Sequence, residues 1–293
     1  MQDLIEKAGV LIESLPYIQR FRGETFVVKF GGSAMEEKDL FDSILQDVVF
    51  MECIGIRPVI VHGGGNAISR GMKDSGLQAR FLNGLRITCE KTIEVVARVF
   101  GKEVNPRIVQ TLERMGGKAV GLPGELLFRV TRMTDTDPET GALLDWGYVG
   151  NPLDVDVRPV QALLKDNAIP VITPLGKDVD GKIHNMNADT AAAALAKALR
   201  ARKLVFLTNV PGLLRDKDDP DSILTTLKTD DVQELIERNV IGGGMLPKIK
   251  SGVEALQSGV RKVHMIDGRM PHSLLLEIFT DKGVGTEIVA GQA

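Results

Sequence analysis

The sequence predicts an α/β fold in which a central, mostly parallel sheet is covered by helices on both faces. Short apolar runs rich in β-branched residues alternate with longer amphipathic stretches along the 293 residues. The runs are almost continuously apolar, which is typical of strands that are buried on both faces. Glycine clusters directly follow two of the runs, where a strand gives way to a helix. Together these observations favour a three-layer αβα sandwich.

Five apolar runs are the predicted core strands, and each has the length of a strand rather than of a helix. They are Thr25–Phe30, Ile56–His62, Ile169–Thr173, Lys203–Thr208 and Arg261–Ile266. Two further segments, Leu126–Arg132 and Gly147–Val149, flank a polar stretch. They predict a local β-hairpin inserted into the α/β core.

Helices are predicted where apolar residues recur at a helical period between these strands. The segments are Asp39–Met51, Asn66–Ser75, Glu90–Met115, Val157–Asp166, Ala188–Ala201, Asp231–Arg238, Leu246–Gln257 and Pro271–Phe279. The alanines of Ala188–Ala201 have the highest intrinsic helix propensity. Asn187 or Asp189 is expected to cap or charge the first turn of that helix.

The first 20 residues predict an amphipathic helix outside the core sheet. Its apolar residues recur at helical spacing: Leu4, Ala8, Leu11, Leu15 and Ile18. We expect Pro16 to kink or end this helix, because proline lacks the backbone N–H that a helix interior needs. Such a helix packs either on its own domain or on another subunit, and the sequence leaves both interpretations open.

Composition excludes several classes of protein. Lys and Arg number 36 and Asp and Glu number 39, a net charge of −3 that gives no electrostatic case for binding nucleic acid or a membrane surface. No apolar run approaches the roughly 18 residues of a spanning helix. The N-terminal segment mixes both signs of charge, unlike a signal peptide. With only Cys53 and Cys89 available for disulfides, we expect a cytoplasmic protein.

Glycines cluster where an anion is commonly bound in an α/β sheet. Lys29–Gly32 and His62–Gly65 each follow a predicted strand, and Gly242–Gly244 precedes a predicted helix. Glycine lets a ligand approach successive backbone N–H groups, which form an anion cradle at a helix N-terminus. Any strand-to-helix turn can carry glycine, but three such loops favour an anion site.

Missing motifs narrow the kind of anion site. The sequence has no P-loop, no protein-kinase signature and no G-x-S-x-G motif. Ile68 stands where a dinucleotide fingerprint starting at Gly63 needs its third glycine, so an NAD site is disfavoured. The four histidines lack metal-ligand spacing and are interpreted as structural or surface residues: His62, His184, His264 and His272.

Two lysines and one aspartate together suggest phosphoryl transfer. Lys29 lies near the end of an apolar strand, where its ammonium needs an anion, a carboxylate or solvent. Lys248 lies near a predicted helix N-terminus, where a cation is unfavourable unless a negative charge is present. Each could be an ordinary surface lysine, and Asp189 could merely stabilise a helix end. In combination they supply the charge neutralisation that phosphoryl transfer requires.

At these residues the sequence resembles the amino-acid kinase superfamily and, within it, the acetylglutamate kinase family. The resemblance covers roughly residues 26–288, and the K-x-G-G opening is its least specific part. The matching segments are Val27–Met35, Val59–Ser69, Phe81–Thr88, His184–Ala196, Lys203–Leu214 and Gly242–Leu256. The resemblance implies a carbamate kinase-like fold of two lobes. It also implies ATP-dependent phosphorylation of the side-chain carboxylate of N-acetyl-L-glutamate, an early step of arginine biosynthesis.

The same resemblance implies roles for individual residues. Lys29 and Lys248 are expected to stabilise the transferring phosphoryl group, while Asp189 holds both lysines through ion pairs. The residues expected to bind acetylglutamate are Gly64, Gly65, Arg86 and Asn185. The residues expected to bind ATP are Gly31, Gly32, Thr208, Asn209 and Gly212. Mg²⁺ is expected to arrive with ATP, so no metal site in the protein is predicted.

The two ends of the sequence resemble arginine-sensitive members of the family. In those members an N-terminal helix links dimers into a hexamer, and L-arginine binds between that helix and the C-terminal lobe. The candidate arginine site is Tyr17, Lys203, His264, Glu277 and Gly283. The implied division is an extension (1–22) for oligomerisation and regulation, a dimer-forming, acetylglutamate-binding lobe (23–200) and an ATP-binding lobe (201–293). Some relatives in phototrophs bind a PII-type regulator, and nothing in this sequence decides that point.

The sequence leaves three alternatives open. A sibling kinase could act on another acid, such as aminoadipate on a carrier protein, glutamate or aspartate, although Arg86 and Asn185 favour acetylglutamate. An oxidoreductase is disfavoured by the broken dinucleotide fingerprint. A non-catalytic regulatory protein on the same fold is disfavoured because Lys29, Asp189 and Lys248 occur together.

Overall fold

The computed structural model describes residues 1–137, 140–216, 218–219, 221–280 and 283–291. The α-helices in these ranges are α1 (Gln2–Phe21), α2 (Lys38–Cys53), α3 (Gly65–Asp74), α4 (Glu90–Val99), α5 (Asn105–Arg114), α6 (Arg158–Lys165), α7 (Ala188–Leu199), α8 (Val232–Glu237), α9 (Met245–Gln257) and α10 (Ser273–Phe279). The strands are β1 (Thr25–Phe30), β2 (Arg57–His62), β3 (Phe81–Leu82), β4 (Leu85–Arg86), β5 (Ala119–Leu122), β6 (Phe128–Thr136), β7 (Leu143–Val155), β8 (Ile169–Ile172), β9 (Leu175–Lys177), β10 (Ile183–Asn185), β11 (Lys203–Thr208), β12 (Thr226–Lys228), β13 (Lys262–Asp267) and β14 (Thr286–Val289).

The central sheet has the strand order β12-β14-β13-β11-β1-β2-β8-β5. From β13 to β5 all neighbours are parallel, and β14 pairs antiparallel with β13. Val28 of β1 is in register with Val205 of β11 on one side and with Ile60 of β2 on the other. The predicted mostly parallel sheet is confirmed.

Alternate residues of the central strands enter two separate cores, one on each face of the sheet. Val28 and Val205 face the core built with α2, α4 and α5. Val27 and Phe206 face the core built with α7 and α9. Because side chains alternate along a strand, apolar residues at every position bury both faces. The helices on either face complete the three layers that the sequence predicts.

The arrangement of strands brings three loops to one edge of the sheet. Parallel strands have their carboxyl ends on the same side, and β1 lies between β2 and β11. The residues that follow these strands are Gly31, Gly63 and Asn209. The two glycine clusters that sequence analysis noted after strands therefore lie beside each other.

Several elements differ from the sequence-based expectations. The predicted hairpin is present, but its strands β6 and β7 are longer than expected and join β9 and β10 in a small closed barrel. The short strands β3, β4, β5, β9, β10, β12 and β14 were not predicted, since two to four residues carry no measurable periodicity. The expected helix Glu90–Met115 contains a π-helical turn at Phe100–Val104, which separates α4 from α5.

The expected break at Pro16 is wrong in part, because α1 continues through Pro16 to Phe21. Packing stabilises the last turns of the helix. Tyr17 contacts Phe279 edge-on at 6.1 Å between ring centroids, and Phe21 contacts Phe26 at 5.3 Å. The earlier turns expose their apolar residues to solvent: Leu4, Ile5, Val10, Leu11, Ile12 and Leu15. In the described ranges no helix is both long and apolar enough to cross a bilayer.

Candidate active site

Lys29, Asp189 and Lys248 form one buried cluster. The Nζ atom of Lys29 lies 3.0 Å from Oδ1 of Asp189, and the Nζ atom of Lys248 lies 2.6 Å from Oδ2. The three side chains are 11%, 5% and 20% exposed, respectively. The ion pairs that the resemblance implied are present. Lys29 and Asp189 lie 160 positions apart in the sequence, and Asp189 and Lys248 lie 59 positions apart.

The local structure of each element explains how the three side chains converge. Lys29 is the second-last residue of β1, so its ammonium extends beyond the carboxyl edge of the sheet. Asn187 is the N-cap of α7, and its Oδ1 accepts the N–H groups of Asp189 at 2.8 Å and Thr190 at 3.3 Å. Lys248 lies in the first turn of α9, where Asp189 offsets the unfavourable interaction with the helix dipole.

The cluster keeps Asp189 ionised. Burial alone raises the pKa of a carboxyl group, because it penalises the charged form. The charges of Lys29 and Lys248, and their hydrogen bonds, outweigh burial and hold the pKa of Asp189 below its usual value. Asp189 is thus a fixed negative charge between two ammonium groups, and the cluster as a whole carries one net positive charge.

The two glycine loops touch each other beside Lys29. A methyl group in place of the α-hydrogen of Gly31 would lie 3.2 Å from Nζ of Lys29 and 3.4 Å from Cα of Gly63. Gly32 has φ +74°, and a methyl group there would lie 2.7 Å from Oδ1 of Asn209. Gly32 therefore requires glycine for its left-handed backbone and for space, while at Gly31 a larger residue would fit only if the Lys29 ammonium moved by a few tenths of an ångström.

A cavity of about 390 Å³ opens between these loops. Both glycine clusters and the Lys29 side chain line it, together with the first turn of α3. The backbone N–H groups at the start of a helix have no partner within the helix. An anion in this cavity would therefore meet an ammonium group and the N-terminus of α3 at once. Two arginines also line the cavity, Arg70 and Arg107, and the sequence analysis did not identify them as site residues.

Arg86 lies behind the glycine loop without a carboxylate partner in the described structure. Its guanidinium donates to the Gly65 carbonyl at 3.0 Å, to Ser69 Oγ at 2.8 Å and to Met72 Sδ at 3.1 Å, and it stacks on Phe81. Burial lowers its pKa. A buried guanidinium that is paired only with neutral acceptors retains its attraction for an anion.

The other predicted site residues have mixed positions. Asn185 ends β10 and does not line the cavity in the described part of the chain. The Thr208 hydroxyl donates to backbone carbonyls, 2.6 Å from that of Val210, and so holds its own loop. Gly212 packs on Thr286, whose Oγ1 would lie 2.8 Å from an added methyl group. The nucleotide-binding roles of Thr208, Asn209 and Gly212 stay predictions.

The donor chemistry does not favour a protein metal site at the cluster, because both Asp189 oxygens already accept from lysines. Among the residues that the structure describes, no group of three His, Cys, Asp or Glu side chains could hold a metal ion.

A second cavity, of about 260 Å³, lies at the amino end of β11. The Lys29–Asp189–Lys248 cluster lies at the opposite edge of the sheet, where the strands have their carboxyl ends. The second cavity is formed by the end of α1, the amino end of β11, β13 and α10. All five residues of the candidate arginine site line it: Tyr17, Lys203, His264, Glu277 and Gly283. The sequence-based grouping therefore corresponds to one cavity, whose ligand the structure does not identify.

Glu277 is the buried centre of this second cavity. Its Oε1 lies 3.0 Å from Lys203 Nζ and 2.7 Å from His264 Nδ1, and its Oε2 accepts the Val284 N–H at 3.1 Å. Burial alone raises the pKa of Glu277, but the hydrogen bond and charge of His264, followed by the charge of Lys203, lower it to about 2. The carboxylate is therefore ionised over the whole physiological range.

Comparison with known proteins places the chain in a family. The sequence profile of the Amino acid kinase family matches residues 24–267. This chain belongs to that family. It is 48% identical over 294 residues to a protein named Acetylglutamate kinase from Heliobacterium modesticaldum, in an alignment that covers 99% of this chain and 100% of that protein. The family resemblance seen in the sequence is confirmed, and the arginine-sensitive subtype stays a prediction.

Solved structures show the same architecture. N-acetylglutamate synthase from Neisseria gonorrhoeae is 30% identical in its complex with coenzyme A and N-acetyl-glutamate, with a TM-score of 0.83 over 98% of this chain. This chain spans 64% of the synthase chain, just under two thirds. The synthase complex with coenzyme A and L-arginine has a TM-score of 0.79 at 28% identity, over 96% of this chain and 65% of that one. Carbamate kinase from Giardia lamblia bound to AMP-PNP, 17% identical with a TM-score of 0.65 over 92% of this chain and 99% of that one, shows the shared fold.

Replacing Glu277 with Gln should destabilise the protein, because it leaves the Lys203 ammonium buried without its carboxylate. Removing one partner of a buried ion pair costs about 3–5 kcal/mol. We expect Glu277→Gln to lower the free energy of unfolding, measured in urea, by about 3 kcal/mol. The matched control is Glu234→Gln, which breaks an ion pair with Arg238 whose side chains are 67% and 62% exposed. That change should cost less than about 1 kcal/mol. Equal effects in the two variants would contradict the ion-pair interpretation of Glu277.

Proposed function

We propose that this chain transfers the γ-phosphoryl group of ATP to the side-chain carboxylate of N-acetyl-L-glutamate, an early step of arginine biosynthesis. One observation carries the proposal: a single buried carboxylate holds two lysines beside a cavity with glycine loops. The acetylglutamate kinase relative, which aligns along its entire length, supports the choice of substrate.

The electrostatics of the cluster match the main obstacle to this reaction. An anionic carboxylate must approach an anionic phosphoryl donor, and the two repel each other. Phosphoryl transfer depends largely on positioning and on neutralising the charge of the moving group. Lys29 and Lys248 provide two ammonium groups, and the glycine loops provide N–H donors that are fixed in advance.

The reaction needs no general base. The reference pKa of a glutamate side chain is about 4.3, so the nucleophile is already ionised at pH 7. Asp189 has a lowered pKa and both of its oxygens accept from lysines. We assign it the task of orienting the lysines, not of accepting a proton.

Arg86 binds the α-carboxylate of the substrate in this proposal. Its planar guanidinium suits a bidentate contact with a carboxylate, and it has only neutral partners in the described structure. Asn185 donates to the same ligand. ATP lies over the part of the chain after residue 200, with Gly31, Gly32, Thr208, Asn209 and Gly212 near it. Mg²⁺ is bound mainly by the phosphates, as is usual for this ion.

Lys29→Ala and Lys248→Ala should each lower kcat by orders of magnitude while the protein stays folded. Each change removes an ammonium group that stabilises the charge of the moving phosphoryl group. ADP release is measured with acetylglutamate, glutamate and aspartate as acceptors, and the wild type should prefer acetylglutamate. Lys38→Ala is the control, since that lysine is 81% exposed and pairs with Asp42 on the surface. Near-normal kcat in either site variant would sink the assignment.

Arg86→Lys should raise the KM for acetylglutamate by about tenfold or more, with a smaller change in kcat. Lysine keeps the positive charge but loses the planar two-pronged donor, so the loss falls on substrate binding. Arg158→Lys, at an 86% exposed side chain, is the matched control. An unchanged KM in Arg86→Lys would show that the guanidinium binds something else.

Arginine is the effector that we propose for the second cavity. The cavity residues belong to α1 and to the C-terminal part of the chain, and Glu277 is an ionised carboxylate there. The similar synthase was crystallised with L-arginine. The exposed apolar face of α1 would pair with other copies of the chain and link dimers into a hexamer. The division into residues 1–22, 23–200 and 201–293 belongs to the same proposal.

Deleting residues 1–20 should abolish both arginine inhibition and the hexamer. The deletion removes Tyr17 from the cavity and removes the exposed apolar face of α1. Inhibition is measured by ADP release with and without arginine, and assembly by light scattering after size-exclusion chromatography. Activity without arginine is the control and should persist, because Lys29, Asp189 and Lys248 are untouched. Inhibition that survives the truncation would contradict the proposal.

A further inference from the structure

His62 and Asn105 form a buried polar pair behind the second glycine loop. His62 is the last residue of β2 and is fully buried. Its Nδ1 lies 2.8 Å from the carbonyl oxygen of the next residue, Gly63, and its Nε2 lies 3.2 Å from Nδ2 of Asn105. The sequence suggested only a structural or surface role for His62, and it gave no signal at all for Asn105.

The orientation of the Asn105 amide decides which nitrogen of His62 carries the proton. Asn105 Nδ2 also donates to the carbonyl of Val171 at 2.8 Å. A carbonyl only accepts, so the amide nitrogen, not the amide oxygen, faces Val171. Its second hydrogen is then directed at Nε2 of His62. Nε2 accepts, and therefore Nδ1 of the neutral ring bears the hydrogen.

His62 stays neutral, which keeps this arrangement fixed. Desolvation in the buried site lowers its pKa to about 4, with the Gly63 contact opposing that shift in part. The ring therefore has one hydrogen at pH 7, on Nδ1, and donates it to the Gly63 carbonyl.

This hydrogen bond fixes the Gly63–Gly64 peptide plane. In a planar trans peptide the carbonyl and the following N–H point in opposite directions. Because the Gly63 carbonyl faces the imidazole, the Gly64 N–H faces away from it, toward the cavity that Gly63, Gly64 and Lys29 line. In the described structure this N–H has no acceptor, whereas the Gly63 N–H already donates to Phe30 at 2.7 Å.

Residues of the π-helical turn Phe100–Val104 pack against the same peptide and against His62. It ends immediately before Asn105. A methyl group at Gly64 would lie 2.8 Å from the Phe100 ring and 3.4 Å from Val104. The Phe100 ring also contacts His62 edge-on at 5.3 Å between centroids. A π-turn shifts the register of the residues after it, and such turns are frequent at functional sites.

We propose that Asn105 and His62 are positioning residues that orient the Gly63–Gly64 peptide, so that the Gly64 N–H donates to the transferring phosphoryl group. Neither side chain touches the substrate. Asn105 sets the tautomer of His62, His62 sets the peptide plane, and the peptide presents the donor. The inference rests on the proposed kinase reaction for the identity of the acceptor, but the tautomer and the peptide orientation are independent of it.

Two substitutions at His62 separate the donor from the rest of the ring. In His62→Asn the amide nitrogen can occupy the position of Nδ1, while in His62→Gln it occupies that of Nε2. We expect His62→Gln to lower kcat by about 10–100-fold, below the 10²–10³-fold typical of deleting a whole donor, with KM for acetylglutamate within about twofold. His62→Asn should keep kcat within about fivefold of the wild type. Equal losses in both variants, or a loss confined to KM, would overturn the inference.

The tautomer of His62 can be measured directly by ¹⁵N NMR on wild-type protein whose histidine rings are labelled with ¹⁵N. We expect His62 to be neutral, with the hydrogen on Nδ1, between pH 6 and pH 8. The signals of His62 are identified as those that are missing from the spectrum of His62→Asn. Asn105→Leu, similar in shape to asparagine, should admit the Nε2–H tautomer and lower kcat like His62→Gln. An Nε2–H tautomer in the wild type would overturn the inference without any variant. Failure of the wild type to phosphorylate acetylglutamate would instead overturn the proposed function, while this spectrum still tests the arrangement.

Discussion

The Asp189 carboxylate holds two ammonium groups that otherwise repel each other, at the place where β1, α7 and α9 meet. Lys29 belongs to the first core strand and Lys248 to a helix far along the chain, so the contact requires the fold to bring β1, α7 and α9 together. Buried charges are tolerated only when they are paired. The cluster therefore favours the native packing, because a structure in which β1 and α9 did not converge would leave a buried charge without a partner.

The net positive charge of the cluster suits the reaction of a carboxylate kinase. Two cations around one anion leave one positive charge for an incoming phosphoryl group, and the Gly64 N–H, which has no acceptor in the described structure, adds a neutral donor. An ionised acceptor removes the need for a base, and correspondingly the buried acid of the site is committed to two lysines. The chemistry is positioning and charge neutralisation, which a rigid sheet edge supplies well.

Sequence patterns revealed the residues whose local setting was anomalous. Lys29 in an apolar strand and Lys248 at a helix N-terminus each lacked a local partner, and one distant aspartate supplies both. Asn105 had no such anomaly, because an asparagine in a helical stretch is common. Its role depends on the contact with His62, which lies 43 positions earlier in the sequence. Pro16 shows the opposite failure: the local rule predicted a break, and the packing of Tyr17 and Phe21 maintained the helix. Short strands such as β9 and β10 depend on their partners and leave no pattern.

The two buried carboxylates lie toward opposite ends of the same central strands. Lys203, held by Glu277, begins β11, and Asn209 follows the end of that strand beside Gly32. Six residues of strand span about 20 Å, and β11 is buried on both faces and paired with β1 and β13. Under the proposal that arginine binds at Glu277, its effect on phosphoryl transfer would have to pass through β11 and the elements packed on it. β1, which carries Lys29, is paired in register with β11, and α9, which carries Lys248, packs in the core on one face of β11, so both lysines of the cluster belong to elements in contact with that strand.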